Sequence, residues 1–326
     1  MWRDECQLRL FQSLSLGARS EAFWGGLSEY DEQRCNYLLS FTRDCTLRWW
    51  FYAVRSKQVF SRTFRATTLK SITLDRCSVA FPTLTSIIEM TCLRTVVFSN
   101  CAFLFPEGFE PAYVSSAKWT SLSVFRTTSY GSMPRLVQFI NLGCLEHFST
   151  DHTNLALPLL RNRHVPRLRS FRLGGLAWRM SDLYAMLEAM PNVTKLHIQA
   201  RNWEQQQPAP PRSVVPNLTT LTAYPHVAMQ LVPHRPISSL QLLHLDLPRS
   251  GGWDHTCFQR MQGSTVGLRE VSVPSMALGS IRPEDLHGVE TLTLRPRCGW
   301  KIQTFHFPVR VYPKTSETAN RPDSFL

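Results

Sequence analysis

The stretch that decides the fold is LKSITLDRC, residues 69–77, because it returns as LRTVVFSNC at residues 93–101. Both stretches fit the frame L-x-x-L-x-L-x-x-C, in which x is any residue, and they begin 24 residues apart. In the central x-L-x-L-x part, apolar and other side chains alternate, which is typical of a strand with one buried face. The two stretches therefore predict neighbouring strands of one sheet.

The same frame recurs along most of the chain, with spacings of 24, 26, 26, 23, 25, 25, 22, 28 and 21 residues. Of the 30 apolar positions in the ten frames, 29 hold a hydrophobic residue and Thr150 is the exception. A unit of this length cannot bury its apolar face alone, so the recurrence predicts stacked units. The frames begin at Leu69, Leu93, Trp119, Leu145, Leu168, Val193, Leu218, Leu240, Leu268 and Val289.

This frame and its spacing resemble leucine-rich repeats. The resemblance implies an α/β fold over residues 69–297, a solenoid with a curved parallel sheet inside and helices or turns outside. It also implies that Cys77 and Cys101 point inward and hydrogen-bond the backbone where each strand turns. Later frames lack Asn or Cys at that position, so we expect the later repeats to be irregular.

Two returning segments predict short amphipathic helices. These are PTLTSIIEM at 82–90 and SDLYAMLEAM at 181–190, with Ser181 as an N-cap and Pro191 ending the second helix. The stretch WEQQQPAPPR at 203–212 predicts a loop inserted between repeats.

Residues 1–68 show a different pattern. Residues 32–60 are rich in Leu, Arg and aromatics and contain no Gly or Pro, which predicts one or two helices that cap the first repeat. Within them, CTLRWWFYAV also resembles the closing half of an F-box motif, which fungal proteins combine with irregular leucine-rich repeats. The Leu-Pro-x-Glu opening of that motif is absent from residues 1–31, and Cys45 to Trp49 is one residue longer than usual.

The F-box resemblance implies that the N-terminal segment docks on the adaptor of an SCF-type ubiquitin ligase. The alternative is a plain cap of the repeats. The residues that would contact the adaptor are Leu38, Leu39, Cys45, Trp49, Trp50 and Ala53.

After the last frame, residues 298–326 predict a C-terminal cap and tail. CGWKIQTFHFPVRVYP suggests a capping strand, and the polar end KTSETANRPDSFL is predicted to be disordered.

Strand alternation also predicts which side chains line the concave face of the sheet. That strip is mostly polar with a basic middle, and it suits recognition of another protein, with Phe125 and Tyr224 as aromatic anchors. The residues predicted to bind the partner are Phe125, Arg172, Lys195, His197, Tyr224 and His244.

Composition and motifs exclude several functional classes. The formal charge is +12, but aromatics do not interleave with the basic residues as a nucleic-acid surface requires, so nucleic acid is not the expected partner. No apolar run reaches the ~18 residues of a membrane span, and MWRDECQLRLF is charged where a signal peptide is apolar. We therefore expect a cytoplasmic or nuclear protein without membrane contact.

The nine cysteines include no C-x-x-C pair, which predicts free thiols and no zinc site. No catalytic or phosphate-cradling motif is present, so neither enzymatic activity nor a cofactor is expected. The sequence thus predicts a non-catalytic protein-binding protein, with the resemblance favouring a substrate receptor of an SCF-type ubiquitin ligase. The alternatives are a free-standing repeat scaffold or sensor, and an enzyme with an unrecognised set of catalytic residues.

Overall fold

In the computed structural model, the sequence frame takes the form of strands whose apolar side chains are buried. The structure describes residues 9, 12–17, 37, 40–48, 68–106, 117–128, 133–161, 163–175, 179–199, 209–243, 255–295 and 302–306. In the first frame Leu69, Ile72 and Leu74 are each at most 2% exposed. The alternation of apolar and polar residues therefore decides which face of each strand meets the core.

Among the described residues, thirteen strands form one sheet, in the order β1-β2-β3-β5-β7-β8-β9-β10-β11-β12-β13-β14-β15. Neighbours are parallel except for the antiparallel last pair, which confirms the predicted mostly parallel α/β architecture. The strands are β1 Ser13–Leu16, β2 Asp44–Arg48, β3 Ser71–Asp75, β5 Thr95–Ser99, β7 Ser121–Phe125, β8 His147–Thr150, β9 Ser170–Leu173, β10 Lys195–Ile198, β11 Thr220–Ala223, β12 Ser239–Leu242, β13 Glu270–Pro274, β14 Thr291–Arg295 and β15 Gln303–His306. A separate parallel pair is formed by β4 Ser78–Ala80 and β6 Ala102–Leu104.

Short helices connect successive strands and cover the buried side of the sheet. Helices α1 and α4 confirm the two predicted helical segments, but Ser181 is not the N-cap, because α4 begins one residue earlier with Arg179 preceding it. The helices are α1 Phe81–Ile88, α2 Met133–Leu136, α3 Thr153–Leu160, α4 Met180–Glu188, α5 Pro225–Leu231 and α6 His255–Met261. In the described part of the chain, three 3₁₀ helices span Val137–Phe139, Ser275–Ser280 and Pro283–Leu286.

Aromatic side chains fill the core where strands meet helices. Phe98 lies 5.0 Å from Phe103 and 6.5 Å from Trp119, ring centroid to ring centroid. On the next strands, Phe148 and Phe171 stack at 5.8 Å. All of these side chains are at most 2% exposed, and they join successive strands into one continuous core.

The turns that follow β3 and β5 have the same construction. Arg76 and Asn100 adopt left-handed backbone with φ of 55° and 53°. The next residues, Cys77 and Cys101, point inward, and their thiols donate to backbone carbonyls of the preceding strands at 3.4 and 3.2 Å. The inward role predicted for the two cysteines is confirmed, and the five cysteines whose side chains the structure describes are reduced thiols, as expected.

At β8 a histidine replaces this arrangement. The backbone N–H of Thr127 donates to His152 Nε2 at 3.0 Å, and Thr150, the polar exception in the sequence frame, accepts the His152 N–H at 3.0 Å. Burial lowers the pKa of His152, although the carboxylate of Asp151 opposes this effect. The neutral imidazole therefore provides the acceptor that the later frames lack in sequence, and Thr150 is buried without an unpaired hydroxyl.

The helices predicted for residues 32–60 are wrong at residues 44–48, although Tyr37 in the same stretch is helical. Residues 44–48 form β2, which pairs in parallel with β1 and β3, so the sheet begins well before residue 69. The physical reason is that Cys45 and Leu47 alternate with polar residues and are each 2% exposed. Together with the buried Thr42 they fill another copy of the frame, which the search for leucine at its first position missed.

The predicted frame that begins at Leu240 is also wrong. In the structure Leu240 is the second apolar position, since it lies opposite Leu221 on one side and Val271 on the other. The frame begins instead at Ile237, which is fully buried. The run ISSLQLLHLDL satisfies both registers, and even spacing favoured the wrong one.

At the C-terminal end, β15 pairs antiparallel with β14 and covers the last edge of the parallel sheet. This confirms a capping strand at residues 303–306. The predicted disordered tail and residues 203–208 of the proline-rich stretch lie outside the described residues.

Candidate binding surface

The strand residues that face away from the core form what we call the open face of the sheet. Its central row runs across the register with one residue from each of the twelve parallel strands, and eight of these twelve residues are Ser or Thr. Small hydroxyl side chains leave strand backbones accessible, so the larger residues in the row stand out. The row contains Ser15, Thr46, Thr73, Val97, Ser123, Ser149, Arg172, His197, Thr222, Gln241, Ser272 and Thr293.

Positive charge concentrates at the middle of this face. Arg172 on β9 lies opposite His197 on β10 in the register, and Lys195 precedes His197 by two residues on the same face. The guanidinium of Arg172 lies over the ring of Phe125, 5.6 Å from its centroid, which is within cation–π range. The structure thus brings together four of the six residues predicted for the partner-binding face.

A third cation, after Arg172 and Lys195, reaches this place from a distant strand. Arg295 is the last residue of β14, and its Nη2 donates to the carbonyl oxygen of Leu242 on β12 at 2.7 Å. The amide oxygen of Gln241 faces the same guanidinium, 3.1 Å from Nη2, because the opposite orientation would set donor against donor. The arginine side chain therefore crosses β13 and lies over the open face. We call Arg172, Lys195, His197 and Arg295 the basic cluster.

His197 is the half-buried centre of the basic cluster. Burial, together with the positive charges of Arg172 and Arg295, lowers its pKa to about 4. Its Nε2 atom is buried and finds no hydrogen-bond partner among the described residues, and the same holds for Nε of Arg295. Burial also lowers the pKa of the Arg295 guanidinium.

Carboxylates of the described residues do not neutralise this charge. In that part of the chain Asp151 contacts the neutral His152, and Glu290 pairs with Arg269. Neither carboxylate pairs with a cation of the cluster, although Asp151 follows Ser149, which lies opposite Arg172, by two residues. An external anion can therefore gain binding energy from these cations.

Two predicted binding residues do not fit the open face as expected. Tyr224 is only 5% exposed, because β11 ends at Ala223 and the chain turns directly into α5, where the Tyr224 ring stacks on His226 at 5.9 Å. It is therefore not an exposed anchor. His244 lies outside the described residues, and the corrected register gives its predicted place in the row to Gln241.

The structure describes only one of the six residues proposed to contact an adaptor. Leu38, Leu39, Trp49, Trp50 and Ala53 lie outside the described residues. Cys45 is 2% exposed inside the core, and burial raises the pKa of its thiol to about 12. Cys45 is thus a core side chain of β2, which contradicts a role as a surface contact.

Sequence reasoning missed Arg295 and Gln241. Arg295 lies two residues beyond Thr293 on the same strand face, so alternation did place it on the open side. The sequence does not show that the Arg295 side chain extends across β13 to β12.

The described residues also limit other kinds of site. No group of three or more His, Cys, Asp or Glu among them is placed to hold a metal ion. None of the helices in this part of the chain is long and apolar enough to cross a membrane.

Comparisons with known proteins do not assign the chain to a family. No protein-family model matches it, and no curated protein matches its sequence.

Proposed function

We propose that the chain is a non-catalytic protein-binding protein of the leucine-rich-repeat type. In this proposal the parallel sheet bends into a solenoid with the open face on its concave side, where a partner protein binds. The regular alternation of strands and short helices supports this proposal. Helices are wider than strands, so a stack with helices on one side and strands on the other bends toward the strands.

The observation that carries the proposal is the composition of the open face. A row of Ser and Thr surrounds one basic cluster, and ion pairs with described carboxylates do not neutralise that cluster. Such a surface offers hydrogen-bond donors and charge, which suits the recognition of a partner.

We favour the free-standing scaffold or sensor over the ubiquitin-ligase receptor. The receptor requires an adaptor contact in the N-terminal segment, and Cys45, which the F-box resemblance proposed for that contact, is buried in the sheet. The two strands β1 and β2 extend the sheet on that side, so the described N-terminal residues serve the repeat array itself.

Site-specific photo-crosslinking tests the proposal. A benzophenone side chain in place of Ser123 or Ser149 would lie on the open face, beside the basic cluster. We expect both positions to crosslink the same protein, identified by mass spectrometry, in cells that express the chain.

The matched controls carry the same side chain at Glu188 on α4 or Gln259 on α6, which are exposed on the helical side. Crosslinks to that protein from the control positions alone, or from no open-face position, would contradict binding at the open face. Unfolding curves of each variant verify that the sheet remains intact.

A further inference from the structure

The most specific chemical feature of the open face is the grouping of three cations, Arg172, Lys195 and Arg295, around the neutral His197. Arg172 and His197 lie opposite each other on adjacent strands, and the charge of Arg295 also acts on His197. We propose that the basic cluster binds the phosphoryl group of a phosphorylated segment of the partner protein. This inference rests on the proposed function, and it names the chemical group that the open face would recognise on the partner.

A phosphoryl group fits this grouping better than carboxylates do. Phosphorylated Ser or Thr carries close to two negative charges on three acceptor oxygens within a few ångströms. Asp or Glu residues of an extended segment place single charges about 6–7 Å apart along one face, since alternate residues share a face. The cluster is a single focus of charge, so a compact dianion is the complementary ligand.

The cluster also supplies the donors that such a group requires. The Arg172 side chain is exposed over the Phe125 ring and can present its guanidinium fork to two oxygens. The buried Nε2 of His197 lacks a partner, and Lys195 is exposed beside it. The bonds of Arg295 to Leu242 and Gln241 fix that guanidinium in place before any ligand arrives.

The remainder of the face favours a peptide over a nucleic acid. Single-stranded nucleic acids need aromatic faces on which bases stack. Near the cluster, Phe125 lies under Arg172 and Tyr224 is buried, so neither ring is open for stacking. The flanking Ser and Thr row instead provides small hydroxyls suited to an extended peptide backbone.

The test uses a peptide library with a fixed central phosphoserine between degenerate positions, passed over the immobilised full chain. Two copies of the library carry Ser or Asp at the centre. We expect at least tenfold greater retention of the phosphoserine library than of either copy. Arg172→Ala should abolish this preference, whereas Arg260→Ala, which removes the same charge from exposed α6, should preserve it.

Several results would overturn the inference. One is retention of the Asp library equal to that of the phosphoserine library, and another is an equal loss of the preference with Arg260→Ala. A third is displacement of the bound peptides by poly-uridine at a lower concentration than by inorganic phosphate. The last is binding of inorganic phosphate by a chain that shows no preference among the peptide libraries. Arg172→Lys provides a second variant that keeps the charge, and it should retain only part of the preference because the bidentate fork is lost.

Phosphatase treatment separates this inference from the proposed function. If the crosslink from Ser149 forms in a cell extract and disappears after phosphatase treatment, both stand. If the crosslink persists after treatment, the protein-binding function stands and the phosphoryl inference fails. If no crosslink forms before treatment, the proposed function itself fails.

Discussion

Replacing Arg235 by Ala is expected to lower the free energy of unfolding by about 3–5 kcal/mol. The side chain is 1% exposed, and four backbone carbonyls accept hydrogen bonds from it: those of Pro211 at 2.9 Å, Val214 at 2.9 Å, Leu231 at 3.0 Å and Pro233 at 3.2 Å. It therefore fastens residues 211–214 to the end of α5. The Ala variant leaves these acceptors without their donor inside a cavity, and both effects destabilise the fold.

Urea unfolding followed by circular dichroism measures this loss. Arg235→Lys keeps the charge but cannot span acceptors on separate segments, so it should lose about half as much stability as Arg235→Ala. Arg282→Ala, which removes an arginine from an exposed loop, is the control and should change stability by less than about 0.5 kcal/mol. A loss below about 1 kcal/mol for Arg235→Ala would show that the clamp contributes little.

Acid is expected to destabilise the protein by about 2–3 kcal/mol between pH 7.5 and pH 5. Burial lowers the pKa of His226 to about 4, and burial with the charges of Arg172 and Arg295 lowers the pKa of His197 to about 4. In an unfolded chain a histidine titrates near 6.5. Between the two values the unfolded chain binds protons that the folded chain does not, so this stability is present above pH 6.5 and disappears as the pH falls toward 4.

The expected loss of stability is smaller than the full pKa shifts of the two histidines would give, because both rings retain some contact with solvent. The variant His197→Gln/His226→Gln serves as its own control, since it removes both titrating groups while keeping a polar side chain. Its loss of stability between pH 7.5 and pH 5 should be clearly smaller, and His152, whose pKa burial also lowers, accounts for the remainder. An equally steep loss in the double variant would assign the acid sensitivity to other groups.

The strand frame was predictable because burial acts on every second side chain of a strand. For nine of the ten predicted frames this alternation gave the correct register, as with Leu69, Ile72 and Leu74. It failed near Leu240, where apolar residues at 237, 240, 242, 243 and 245 allow two registers three residues apart. Only the pairing with Leu221 and Val271 decides between them.

The N-terminal strands were missed for a different reason. Cys45 and Leu47 follow the same alternation, but Thr42 takes the place of the first leucine and aromatic residues follow, so composition suggested helix. In β2 the neighbouring strands supply the hydrogen bonds and the burial that override local helix preference.

Only the part of the candidate site that depends on strand geometry was predictable from the sequence. Alternation placed Arg172, Lys195 and His197 on one face, because side-chain direction in a strand follows position. Tyr224 was misplaced because the strand ends one residue before it. The convergence of Arg295 on the same point depends on a side chain that crosses β13, and no local pattern encodes that contact.

The central claim is that successive strands lie side by side in the order of the chain, and electron spin resonance distances test it most directly. Nitroxide labels attached through an engineered ketone residue avoid the native cysteines. With one label at Thr95 on β5, a second at Lys195 on β10 lies four strands away and one at Thr291 on β14 lies eight strands away. At a spacing of about 4.8 Å per strand, the account predicts about 19 Å for the first pair and a longer distance, up to about 38 Å along the sheet, for the second, each broadened by the label arms. A distance for the second pair equal to or shorter than that of the first would contradict the strand order and the binding surface built on it.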